Sequence, residues 1–166
     1  MSVIDEVLQA NRAYAQNFAL GHLLLPPARK LAIVACMDAR LTVEQVLSLK
    51  TGDAHIIRNA GGIVTEDALR SLLISHYLLG TEEFMIINHT GCGMLIFKDE
   101  DLRTKLHKAS GTAAVAPVHF YAFTDLEENV RQQIQKVKSH PWVPKKIPVR
   151  GFIYDVKTGR LNEVST

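Results

Sequence analysis

The sequence predicts an α/β fold: a mostly parallel central β-sheet flanked by helices, with an antiparallel edge hairpin and an amino-terminal helical arm. Three observations carry this. Leu31 to Cys36 and Phe84 to Ile87 are short apolar runs of the kind that form strands buried on both faces of a parallel sheet. Stretches with helical spacing lie between the strands, and strands alternating with helices imply parallel pairing through crossovers. Near the carboxyl end Val149 to Val156 alternates like a strand, Lys157-Thr158-Gly159-Arg160 turns, and Leu161 to Val164 returns as an edge hairpin. A length of 166 residues with 47% apolar and 22% charged composition fits one domain with ample core, residues 1–166, of which 1–29 form the arm.

Taken in order, Ser2 with Asp5 resembles a capping box, and Ile4, Val7, Leu8, Ala15 and Phe18 recur along one stripe of an amphipathic helix. This helix and its Leu23-Leu24-Leu25-Pro26-Pro27 extension precede the first strand, so they pack either on a partner subunit or back on their own chain. Thr42 with Gln45 forms a second capping box, opening a short helix through Leu49 that Gly52 can terminate. Ala54 to Arg58 reads as the second strand. In Arg58-Asn59-Ala60-Gly61-Gly62 the paired glycines permit positive φ or close backbone approach, which suits an anion cradle or a tight turn. Thr65 then caps a helix carrying Leu69, Leu72, Leu73, His76 and Tyr77, with Glu66 and Asp67 in its first turn and Gly80 as its stop. The third strand spans Glu83 to His89. A polar helix with Leu102 and Leu106 on one face follows, and Ser110 to Pro117 reads as loop. Thr124 with Glu127 is a third capping box, for a helix traced by Leu126, Val130, Ile134 and Val137 up to Pro141.

The net charge of +2 comes from 19 basic and 17 acidic residues that are interspersed, so the chain lacks the field that nucleic acid or an anionic membrane requires. Its apolar runs are far shorter than the ~20 residues of a membrane span, and its amino terminus is charged and helix-like where a signal peptide would be apolar. A cytoplasmic protein is expected. Two cysteines in a reducing compartment serve as ligands or reactive groups more readily than as a disulfide.

Both cysteines end strand-like runs. Leu31 to Ala35 is followed by Cys36-Met37-Asp38-Ala39-Arg40, and Phe84 to Asn88 by His89-Thr90-Gly91-Cys92-Gly93. If the first backbone stays extended, Cys36, Asp38 and Arg40 project to one side. Two thiolates and one imidazole, from Cys36, Cys92 and His89, suit a tetrahedral zinc ion, and three protein ligands leave a position open for water or substrate. A carboxylate beside that cation coordinates it unless something else holds it, and Arg40 can hold Asp38 with a bidentate pair. Two other classes stay open on the residues alone: a non-catalytic zinc protein closed by Asp38 as fourth ligand, and redox sensing through Cys36 and Cys92.

Cys36-Met37-Asp38-Ala39-Arg40, Arg58-Asn59-Ala60-Gly61 and His89-Thr90-Gly91-Cys92-Gly93, in this order and spacing, resemble the motifs of the β-class carbonic anhydrases, in particular the short members. The resemblance runs from about Lys30 through Gly151-Phe152-Ile153-Tyr154-Asp155. It implies one zinc ion held by Cys36, His89 and Cys92, a catalytic dyad of Asp38 and Arg40, and a homodimer or dimer of dimers in which the amino-terminal helix embraces the partner. The implied reaction is reversible hydration of carbon dioxide to bicarbonate and a proton by zinc-activated water, with Asp38 accepting a hydrogen bond from the attacking group. Carbonyl sulfide or carbon disulfide hydrolysis is the alternative, since enzymes of this fold perform it with the same ligands.

Overall fold

The computed structural model describes residues 2–112, 117 and 119–165. Its centre is a five-stranded sheet of β1 (Leu31–Cys36), β2 (Ala54–Asn59), β3 (Glu83–His89), β4 (Val149–Tyr154) and β5 (Leu161–Glu163), in the order β2-β1-β3-β4-β5. The first four strands are parallel and β5 is antiparallel to β4, so the expected sheet and edge hairpin are both present. The helices are α1 (Val3–Gln16), α2 (Val43–Val46), α3 (Glu66–Leu79), α4 (Asp99–Ser110) and α5 (Leu126–Ser139).

Strand β1 lies between β2 and β3 and is buried on both faces, which explains its unbroken apolar run. Ala32 and Val34 join one core cluster with Ala68 and Leu72 of α3 and Val130, Ile134 and Val137 of α5. Ile33 and Ala35 face the other way, into a second cluster that holds Leu41, Val43, Ile87, Met94 and both cysteines. Helix α5 approaches β4 closely because Gly151 has no side chain: a Cβ there would lie 2.4 Å from Val130 Cγ1 and 2.6 Å from Ile134 Cδ1. Thr65 and Gly80 cap α3 as anticipated, with Gly80 left-handed at φ +75°.

Helix α1 forms the expected capping box, yet buries none of its residues. Its apolar stripe stands in the open: Val3 and Ile4 are 72% and 69% exposed and Val7, Leu8 and Tyr14 are each more than half exposed, while Phe18, expected on the same helix, lies beyond its end at Gln16 and is also half exposed. Among the described residues no helix is long and apolar enough to cross a membrane.

Four local expectations are corrected. The Thr42 hydroxyl donates to Gln45 Oε1 at 2.8 Å instead of accepting from the backbone, and α2 ends at Val46, short of Leu49. Gly52 therefore serves a separate turn before β2, closed by Asp53 N–H on Lys50 O at 3.0 Å. The amino-terminal cap of α5 is Asp125, whose carboxylate accepts from Glu128 N–H at 2.9 Å, and Glu127 pairs with Arg131 instead. Strand β4 stops at Tyr154, since Asp155 turns the chain by receiving Gly159 N–H at 2.8 Å. The loop expected over Ser110 to Pro117 starts after Ser110, which still belongs to α4, and residues 113–116 lie outside the described residues.

Candidate metal centre

Because β1 and β3 are parallel neighbours, Cys36 and His89 come together at the carboxyl ends of these strands. Gly91, at φ +62°, turns the chain so that Cys92 also arrives there. The Sγ atoms of Cys36 and Cys92 are 4.0 Å apart, and the ligand atoms of Cys36, His89 and Cys92 all lie within 4.8 Å of one another. All three residues are buried.

Donor chemistry and spacing both fit zinc. Zn–S bonds of about 2.3 Å in a tetrahedron place two sulfurs roughly 3.8 Å apart, a few tenths of an ångström from the separation found. His89 Nδ1 lies 3.0 Å from the Thr90 carbonyl oxygen, which accepts its proton and leaves the lone pair on Nε2. That Nε2 is buried and has no hydrogen-bond partner among the described residues, an arrangement costing about 1–3 kcal/mol unless a cation fills it. The hydrogen bond between the two thiols draws the Cys36 pKa down and pushes that of Cys92 up, with burial adding to the rise at Cys92. Burial opposes a charge on His89, but Cys36, the Thr90 carbonyl and the Asp38 carboxylate together outweigh it, so its pKa is raised.

Asp38 and Arg40 reach the centre by a turn, not by the extended backbone expected after Cys36. Strand β1 ends at Cys36, and Leu41 N–H closes on Asp38 O at 3.0 Å. Within that turn Arg40 grips the Asp38 carboxylate three times: Nε to Oδ1 at 2.9 Å, Nη2 to Oδ2 at 2.8 Å, and backbone N–H to Oδ1 at 2.9 Å. Arg40 Nη2 also donates to Gly91 O at 3.0 Å, tying the turn to the loop that carries Cys92. The bonds from Arg40 hold the Asp38 carboxyl well below the usual carboxylate range, so it stays ionised. Asp38 Oδ2 is 3.6 Å from His89 Nε2, beside the ligands.

Comparison with known proteins agrees with this geometry. The family model described as carbonic anhydrase matches residues 31–161. The chain belongs to the β-carbonic anhydrase family. It is 46% identical over 165 residues to β-carbonic anhydrase 1 of Mycobacterium tuberculosis, covering 99% of each chain. The crystal structure of carbonic anhydrase from Streptococcus mutans superposes with a TM-score of 0.93 at 45% identity, again covering 99% of each chain. A carbon disulfide hydrolase of Acidithiobacillus thiooxidans is 36% identical over 176 residues, covering 95% of this chain and 87% of that protein. β-Carbonic anhydrases use zinc, and the buried Cys36, His89 and Cys92 form a cluster able to bind a metal ion.

Sequence reasoning gave no role to the residues that hold the Gly61–Gly62 turn beneath the carbonic anhydrase centre. Asn88 Nδ2 donates to Gly61 O at 2.9 Å and to Gly62 O at 3.3 Å, and its Oδ1 accepts from Asn129 Nδ2 at 2.7 Å. Gln133 continues the buried chain, donating to Asn129 Oδ1 at 3.1 Å and accepting from Val64 N–H at 2.9 Å. The available signal was two amides, Asn129 and Gln133, one turn apart and adjacent to the apolar face of α5. Polar groups there have to be partnered once buried.

Proposed function

We propose that this chain hydrates carbon dioxide reversibly to bicarbonate and a proton, at a zinc ion held by Cys36, His89 and Cys92, with Asp38 and Arg40 as its catalytic dyad. The observation that carries this reading is the Asp38–Arg40 pair: a carboxylate lies beside three metal donors, yet both its oxygens are engaged by arginine. Zinc bound there would supply Lewis acidity that lowers the pKa of water toward neutrality and so would make a nucleophile near neutral pH. Asp38, ionised and acceptor-only, receives a hydrogen bond from the attacking group and orients it toward the carbon of the substrate. Arg40 keeps that carboxylate in place and away from the metal. The second core cluster, with Leu41, Ile87 and Met94, walls the centre on the protein side. The engaged state of Asp38 speaks against a closed, non-catalytic zinc site.

The test is metal analysis combined with stopped-flow hydration. One zinc per chain is expected, and Cys36→Ala is expected to lose metal and hydration activity together; wild-type zinc content in that variant would remove Cys36 from the ligand set. The similarity to a carbon disulfide hydrolase supports sulfide release as a second reading. Measuring kcat/KM for carbon dioxide and carbon disulfide on one preparation decides between them, and a preference for carbon disulfide would overturn the hydration reading while leaving the zinc ligands standing.

Residues 1–29 serve as an arm to the single domain, and the exposed stripe of α1 supports a second copy of the chain as its cover, in a homodimer or dimer of dimers. Two free thiols as ligands fit a cytoplasmic location. Deleting the residues before Pro26 is expected to break the dimer. Sedimentation at micromolar concentration is the check, and an active monomeric wild type would show that no partner is needed.

A further inference from the structure

A second arginine grips the same turn from the opposite side. Arg58 leaves the edge strand β2 opposite Ala35 of β1, one position before the strand's last paired residue. Its Nε donates to Cys36 O at 3.0 Å and its Nη2 to Asp38 O at 2.7 Å. One planar guanidinium thus bridges two carbonyls two residues apart, and Met37 N–H between them is bound to Asn59 O at 2.9 Å. The backbone that joins a metal ligand to the dyad carboxylate is therefore pinned at three successive residues by two neighbouring residues of β2.

The two arginines divide the work. Arg40 fixes where the Asp38 carboxylate points, and Arg58 fixes where its backbone sits. A carboxylate only 3.6 Å from His89 Nε2 needs little movement to reach a metal held there, and it can move with its backbone even while its side-chain partner remains. Two hydrogen bonds from one charged donor bias such a two-position equilibrium toward the held arrangement.

We infer that Arg58 is a positioning residue for hydration: by holding the Cys36 and Asp38 carbonyls together it sets the reach of Asp38 and keeps that carboxylate from the metal. This rests on the reading of Asp38 and Arg40 given above. Both bonds from Arg58 go to backbone carbonyls, those of Cys36 and Asp38, so its effect passes through the backbone.

The test compares Arg58→Met and Arg58→Lys with wild type and Arg40→Ala, each loaded with zinc for kinetics and with cobalt(II) for absorption spectra. Arg58→Met is expected to keep one metal per chain, to lose about tenfold in kcat with KM changed less than about twofold, and to shift its cobalt bands toward those of Arg40→Ala. Arg58→Lys, with one point donor for two carbonyls, is expected to fall between wild type and Arg58→Met in both readouts. If Arg58→Met does not fold, Arg58→Lys decides by the same two readouts. Wild-type kcat and spectrum in a folded Arg58 variant overturn the inference, as does a raised KM with kcat unchanged, which would make Arg58 a substrate contact. Loss of metal from folded Arg58→Lys also overturns it, because Arg58 would then serve the Cys36 ligand and not Asp38. Should Arg40→Ala itself match wild type, the Asp38 reading fails and this inference with it; an impaired Arg40→Ala beside an unimpaired Arg58→Met defeats this inference alone.

Discussion

Arg40→Ala is expected to retain its zinc and to lose about 100-fold in kcat, the order of effect seen when a group that orients a metal site is removed. Cys36, His89 and Cys92 are untouched by the change, so the metal stays. What is lost is the two side-chain bonds to Asp38, from Nε and Nη2, which leaves only the backbone N–H of residue 40 on Oδ1. The freed carboxylate swings the short distance to the donors and takes the position that substrate water needs. Its pKa, held low chiefly by the bond from Arg40, returns toward the ordinary carboxylate range. Arg40→Lys is expected to be partly active, since an ammonium cannot hold both oxygens at once, and Asp38→Ala to be impaired for want of the acceptor. A crystal of Arg40→Ala is expected to show Asp38 on the metal. Wild-type hydration by Arg40→Ala would sink the dyad.

Gly62→Ala is expected to cost about 3 kcal/mol and to lower Tm by about 10 °C, combining a left-handed residue with overpacking. Gly62 has φ +62°, and an added Cβ would lie 2.9 Å from each of Asn88 Nδ2, Cys36 N and Ile87 O. Two of those atoms are backbone of the strands that bring the ligands together, so relief of the clash has to separate β1 from β3 or move the turn. Gly80→Ala is the control: Gly80 has φ +75° with nothing within 4 Å of an added Cβ, so only the backbone cost of about 1 kcal/mol remains. Calorimetry on both variants with their zinc content measured is the check. Equal destabilisation would show that the close approach beneath the centre is unimportant.

What the sequence disclosed and what it hid divide along a physical line. Strands β1 and β3, the capped helix α3 and the hairpin β4–β5 were legible because their signals are local: unbroken apolar runs, a Thr65 cap with a Gly80 stop, a Gly159 turn. The ligand types were legible for the same reason, since Cys36 and His89-Thr90-Gly91-Cys92 stand at strand ends. Caps failed where two acceptors competed, as at Thr124 and Asp125, because pattern matching does not weigh a carboxylate against a hydroxyl. The Asp38 turn was hidden by an assumption of extended backbone, and the roles of Arg58, Asn88, Asn129 and Gln133 were hidden because each depends on carbonyls supplied by another segment. Long-range hydrogen bonds leave no periodicity to read.

The separation between the donors carries its own consequence for how the protein is made. Cys36 and Cys92 are 56 residues apart in sequence and meet only because β1 and β3 pair. Bringing such distant segments together in an unfolded chain costs roughly 3.5 kcal/mol in closure entropy, so the loose polypeptide is a poor chelator. A nascent chain that has emerged only as far as β2 carries a single donor. With the proposed ligand set, metal capture is expected late in biosynthesis, after the central strands have zipped, with the ion acting as a staple across β1 and β3 in place of a nucleus for folding.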